Sequence, residues 1–195
     1  MIRGIALVLF AGVAFASVEP AMEPLPPGQI EPGGWLRDWC VAAKDGYTGH
    51  MDDVDDEFKI AWTEGYAESH KDIYQWYRGA WSLEGGGYWL DGLVRWAYCL
   101  HDEALISQVK TRLGSVVSNA STNGCFFLWW LKDTPEMRAN FRNNDCWVIW
   151  ASGLISRALA GWYEATHDPK ILEAMRTVFA AHPDTLFIVV TAPPL

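Results

Sequence analysis

The chain has 195 residues, half of them hydrophobic, and a formal net charge of −9. That is enough length and apolar content for one domain with a buried core. An acidic chain without a basic patch repels phosphate backbones and anionic lipid, so neither nucleic acid nor a charged membrane surface is expected as a partner.

Residues 1–16 read as a secretory signal peptide. Arg3 supplies the basic start, Ile5, Leu7, Val8, Leu9 and Phe10 the apolar centre, and Ala14 and Ala16 the small residues of a cleavage site after Ala16. Glu19 and Pro20 close the apolar run before it reaches the length of a spanning helix. The expectation is therefore a secreted or periplasmic protein with no membrane segment after cleavage.

Residues 17–34 hold Pro20, Pro24, Pro26, Pro27 and Pro32 and read as an extended leader. The helical spacing of Leu36, Trp39 or Cys40, and Ala43 predicts a first helix over about 35–44, stopped by Asp45-Gly46. The acidic residues Asp52, Asp53, Asp55, Asp56 and Glu57 read as a solvated loop. Gly85-Gly86-Gly87 mark a place where backbone turns sharply or approaches something closely. A helix apolar on nearly every side is predicted over 88–100, with Asp91 and Arg95 as a neutralising i, i+4 pair, then an amphipathic helix over 103–118.

The same succession returns with an apolar helix over 146–166 and an amphipathic one over 169–181. His101-Asp102-x-x-Leu105-Ile106-x-x-Val109-Lys110-Thr111 aligns with His167-Asp168-x-x-Ile171-Leu172-x-x-Met175-Arg176-Thr177 at an offset of 66 residues. A repeated unit of one buried and one amphipathic helix indicates stacked helical hairpins. The expected fold is all-α, of the α/α toroid type, with buried helices as inner wall and amphipathic helices as outer wall.

In such a toroid the inner helices point the same way, and the residues before their N-termini line one rim. Trp81, Glu84 and Tyr88 occupy that place in one unit, and Asn144, Asp145 and Trp147 in the other. Amides and carboxylates hydrogen-bond hydroxyl groups and aromatic rings stack on sugar C–H faces, so these residues and His50 are candidate carbohydrate-binding groups. Asn144 or Asp145 is equally suited to cap its helix. Asn119-Ala120-Ser121 is a glycosylation sequon if the host is eukaryotic. Cys40, Cys99, Cys125 and Cys146 form no C-x-x-C motif, so no metal site is read from their spacing; Cys40 and Cys99 are expected as buried free thiols.

Pro27-Gly28-Gln29-Ile30-x-Pro32-x-Gly34-Trp35-Leu36, Thr48-Gly49-His50, Glu84-x-x-Gly87-Tyr88-Trp89-Leu90-Asp91-Gly92-Leu93 and Trp162-Tyr163-Glu164-Ala165-Thr166-x-Asp168-Pro169 together resemble the beta-L-arabinofuranosidase family of glycoside hydrolases, from about residue 25 to 180. The resemblance implies a six-hairpin (α/α)6 barrel and retaining hydrolysis of beta-L-arabinofuranosides by a Cys nucleophile and a Glu acid/base, with zinc held by Cys and Glu. Those groups lie later in the family's barrel, and none of the four cysteines here matches their motif, so the resemblance assigns this chain no catalytic or metal residue. Residues 35–183 are expected to be the N-terminal portion of such a domain, incomplete in this chain, and 184–195 an atypical tail that leaves the repeat. The expected product is an inactive fragment needing a C-terminal half or an oligomer to complete it. Two alternatives stay open, a non-catalytic helical module binding glycan or protein, and another α/α-toroid sugar enzyme such as an epimerase or an unsaturated-uronide hydrolase.

Overall fold

A computed structural model of the chain describes residues 22, 24–63, 73–120, 126 and 145–180, the stretches 73–82 and 145–149 by backbone alone. The expected signal peptide, the tail 184–195 and Asn144 lie outside the described residues. Among those described, every regular element is helical, and no helix is long and apolar enough to cross a membrane.

The helices are α1 (Gly34–Asp45), a 3-10 turn (Tyr47–His50), α2 (Met51–Val54), α3 (Asp56–Ile60), α4 (Ile73–Cys99), α5 (Glu103–Ser118), α6 (Asp145–Thr166) and α7 (Pro169–Ala180). Helix α4 packs against α6, α5 against α4, and α7 against both α6 and α5. Two antiparallel hairpins, α4–α5 and α6–α7, thus stand side by side.

Cross-contacts fix how α4 and α6 run. Gly87 sits against Leu154, Asp91 pairs with Arg157, Val94 and Arg95 lie beside Gly161, and Tyr98 meets Trp162. The residue numbers rise together, so α4 and α6 are parallel, and their offsets stay close to the 66 residues of the sequence repeat. Leu83, Leu90, Leu93, Val94 and Ala97 from α4, Ile155, Ala158 and Leu159 from α6, and Val109, Leu113 and Val178 from the outer helices form one core. Each large aliphatic side chain there contributes about 1.5–3 kcal/mol by leaving water.

Both hairpin turns use the same backbone device. His101 and His167 end their helices at φ of +50° and +54°, the left-handed conformation that terminates a helix. At the first turn the Asp102 amide donates to the Ala97 carbonyl and the His101 amide to the Tyr98 carbonyl, the paired bonds of a Schellman motif. At the second, the His167 amide donates to the Tyr163 carbonyl, the single-bond version. The aspartate that follows then caps the next helix. Asp102 Oδ1 accepts from the Ala104 and Leu105 amides, and Asp168 Oδ1 from the Lys170 amide.

Three expectations need correction. Gly85-Gly86-Gly87 do not precede the inner helix, which begins at Ile73 and runs through them. The close-approach half of that expectation holds. A Cβ on Gly86 would stand 2.5 Å from the Ala61 Cβ, and one on Gly87 3.1 Å from the Leu154 Cβ. The acidic cluster is largely helical rather than a loop, and although Asp53, Asp56 and Glu57 are exposed as expected, Asp52 and Asp55 are engaged in the fold. Asp55 caps α3 by accepting from the Glu57 amide, and Asp52, largely buried, accepts from Arg112 at 2.6 Å and Gln108 at 2.8 Å. Cys40 and Cys99 are free thiols as expected, but half-buried rather than buried.

The segment preceding α4 is anchored by Trp62, which is fully buried. Its φ of +58° is unusual for so bulky a residue. The indole N–H donates to the Leu83 carbonyl at 2.8 Å, and the burial of the ring offsets the backbone strain.

Candidate functional site

Trp81, Glu84 and Tyr88 all lie inside α4, not on a rim before it. Asp145 and Trp147 open α6 and so occupy the expected end of that inner helix. The resemblance motifs do meet in space. The Trp89 Nε1–H donates to the Thr48 carbonyl at 2.9 Å and thereby joins the Thr48-Gly49-His50 turn to the Tyr88-Trp89 run. Trp89 is further held edge-on by Phe58 and capped by the Arg112 guanidinium 5.1 Å from its ring centre. Arg112 also donates to the Phe58 and Lys59 carbonyls. This knot is structural, because the Trp89 ring is buried within it. His50 stays exposed, with Nδ1 2.9 Å from Oδ2 of Asp53 in α2.

Helices α4 and α6, expected to be apolar on nearly every side, are not buried all round. Each carries an exposed strip of the same design. On α4 it runs Tyr88, Gly92, Arg95, and on α6 it runs Trp150, Gly153, Arg157. In both, the aromatic and the arginine are seven residues apart, two turns or about 10 Å along the axis, with glycine between. A Cβ on Gly92 or Gly153 would meet nothing within 4 Å. The strips therefore have an open floor between an aromatic end and a cationic end.

Asp91 joins the strips across the helix seam. Its Oδ1 accepts from Arg95 Nε at 3.1 Å and its Oδ2 forms an ion pair with the Arg157 guanidinium at 2.9 Å, while the carboxylate itself is 9% exposed. Arg95 and Arg157 remain 48% and 59% exposed. The expected Asp91–Arg95 neutralising pair is thus two members of a triad with one carboxylate and two guanidinium groups. Arg95 also lies over Gly161 of α6. Asp91 and Arg157 stand at equivalent positions of the 66-residue repeat, so the repeat brings opposite charges together in the folded pair.

Below this face, Tyr98 accepts a hydrogen bond from Trp162 Nε1 at 3.1 Å. Burial pushes the Tyr98 phenol above its ordinary pKa, and the bond from Trp162 opposes that only partly. At the far end, Lys44 bonds Asp102 at 3.0 Å and ties α1 to the first hairpin turn. The Leu105 amide and then Lys44 hold the Asp102 carboxyl below its ordinary range, and Asp102 and then Asp45 raise Lys44.

Trp150 and Arg157 are functional candidates that the sequence reading passed over. The aromatic-to-arginine spacing of seven on both inner helices was the available signal, but Tyr88 and Trp150 are 62 residues apart and fall outside the repeat alignment. No three His, Cys, Asp or Glu side chains converge among the described residues as a metal ion requires. The zinc implied by the family resemblance therefore has no fitting donor set there. Compared with protein-family models, curated proteins and solved structures, the chain matches none.

Proposed function

We propose that the chain is the N-terminal portion of an exported glycoside hydrolase acting on beta-L-arabinofuranosides or related glycans. In this reading α4–α5 and α6–α7 are two hairpins of an α/α toroid. Their shared exposed face is a stretch of pocket wall that binds sugar without turning it over. The observation that carries the reading is the parallel, in-register pairing of α4 and α6 with aromatic and charged groups on one exposed side. Rings at one end offer stacking on sugar C–H faces, and guanidinium groups at the other offer donors to hydroxyl oxygens. Hydrolysis needs a nucleophile and an acid/base held across the scissile bond, and two hairpins of six supply one side of such a pocket.

The test is to assay the purified chain on aryl beta-L-arabinofuranosides with and without zinc, and to titrate it with arabino-oligosaccharides. Weak binding without turnover is the expected result. Turnover that disappears in Glu84→Gln or Asp145→Asn would mean that this chain holds a complete site, and no binding at all would remove the sugar reading.

A second reading, a non-catalytic glycan- or protein-binding module, is favoured by α1. No residue of α1 is buried, and Trp35 and Trp39, one turn apart, are 78% and 67% exposed. Binding that survives loss of the α4–α6 face but not Trp39→Ala would select this module.

A further inference from the structure

We infer that the Arg95–Asp91–Arg157 triad is a carboxylate-binding site, so that the glycan taken by this face carries uronic acid. The inference deepens the sugar-binding reading above and rests on it only for the ligand being a glycan.

Asp91 has both oxygens engaged, one by each arginine, and is itself shielded from water. Each guanidinium gives one nitrogen to Asp91, and each is about half exposed. The triad therefore shows one excess positive charge and several N–H donors on the outer side of the helix pair, in a chain whose formal net charge is −9. A ligand carboxylate bound there would accept charge-assisted bonds from two guanidinium groups whose positions Asp91 already fixes. A neutral sugar hydroxyl gains less from the same donors.

The rest of the strip suits the ring that carries such a carboxylate. Gly92 and Gly153 leave the backbone open beside the arginines, and Tyr88 and Trp150 stand two turns back on the same sides of their helices. The nearest acidic groups along these strips, Glu84 on α4 and Glu164 on α6, stand seven residues from Asp91 and Arg157, about 10 Å along the helix axes. At that spacing salt screens part of their charge, and neither takes a place in the triad itself.

The experiment is calorimetric titration of the full chain at low salt with oligogalacturonate, its methyl ester, a neutral arabino-oligosaccharide and an acidic peptide. Oligogalacturonate is expected to bind at least tenfold more tightly than its ester. Arg157→Gln and Arg95→Gln should each remove about that preference while leaving the melting temperature near that of the parent. Arg157→Lys should restore only part of it, because it keeps the charge and loses the planar fork. Raised salt should weaken the acidic ligand more than the neutral one. Equal binding of acid and ester, or an acidic peptide binding as tightly as the acidic glycan, would overturn the inference. Neutral arabino-oligosaccharide failing while oligogalacturonate binds would sink the arabinofuranoside reading and leave this one standing.

Discussion

The two hairpins share a turn and differ in what holds it. At the first, Asp102 accepts two backbone amides and a bond from Lys44, and Gly85 and Gly86 of α4 are covered by Phe58 and Ala61. At the second, Asp168 accepts from the Lys170 amide, and the positions that match the glycine run are Ala151, Ser152 and Gly153. Ser152 is fully buried, and its hydroxyl has no partner among the described residues. The same local code thus builds both units, while the first is additionally clamped by the chain that precedes it. Repetition sets the architecture, and non-repeated contacts set the stability of each copy.

The largest expected effect comes from removing the clamp. Trp62→Ala should destabilise by about 3–5 kcal/mol, since it deletes a fully buried ring and leaves the Leu83 contact unmade. Gly86→Ala attacks the same contact from the other side. The Cβ clash with Ala61 should outweigh the helix-propensity gain and give a net loss of roughly 1–2 kcal/mol. Denaturant melts of both variants check this. A Gly86→Ala protein more stable than the parent would mean that the segment does not press on α4.

Next come the caps. Asp102→Ala should cost about 1–2 kcal/mol and Asp168→Ala about half of that, because Asp102 accepts a second amide and pairs with the Lys44 side chain as well. A double-mutant cycle with Lys44→Met isolates the extra part. The pH dependence follows from the directions of the shifts. Asp102 is depressed when folded, so its contribution is fully present above the ordinary carboxylate value of 3.8 and is lost as pH falls through the lower folded value. Lys44 is raised, so its contribution is present below 10.5 and is lost as pH rises through the higher folded value. The gap between parent and Asp102→Ala should therefore close in acid and, above 10.5, only narrow in base, where the capping bonds to Ala104 and Leu105 remain. A gap independent of pH would show that packing, not charge, makes the first turn stronger.

The smallest effect should be a gain. Gly92→Ala and Gly153→Ala add a Cβ that meets nothing, so each should stabilise its helix by about 0.5–1 kcal/mol. A loss at either site would show that something covers the strip.

How much of this was legible in the sequence follows from how local each feature is. The hairpins and their turns were legible, because the apolar periodicity and the His-Asp pair act within a few residues. The start of α4 was not. Three consecutive glycines weaken a helix locally, and only their tight fit against Ala61 and Leu154, from distant parts of the chain, explains a helix passing through them. Asp52 was misread for the same reason, as its partner Arg112 lies 60 residues away. The candidate site was half legible. Asp91 and Arg95 stood out as a pair, but the third member, Arg157, arrives only when α6 packs in register on α4.

The most direct test of the account is a nitrogen-15 NMR titration of the labelled chain with a soluble oligosaccharide, reading its glycine amides. If sugar binds on the open side of the helix pair, Gly92 and Gly153 shift together on one binding curve, and Gly114 on α5 stays still. Shifts confined to α1 around Trp35 and Trp39, with Gly92 and Gly153 unmoved, would contradict the central claim.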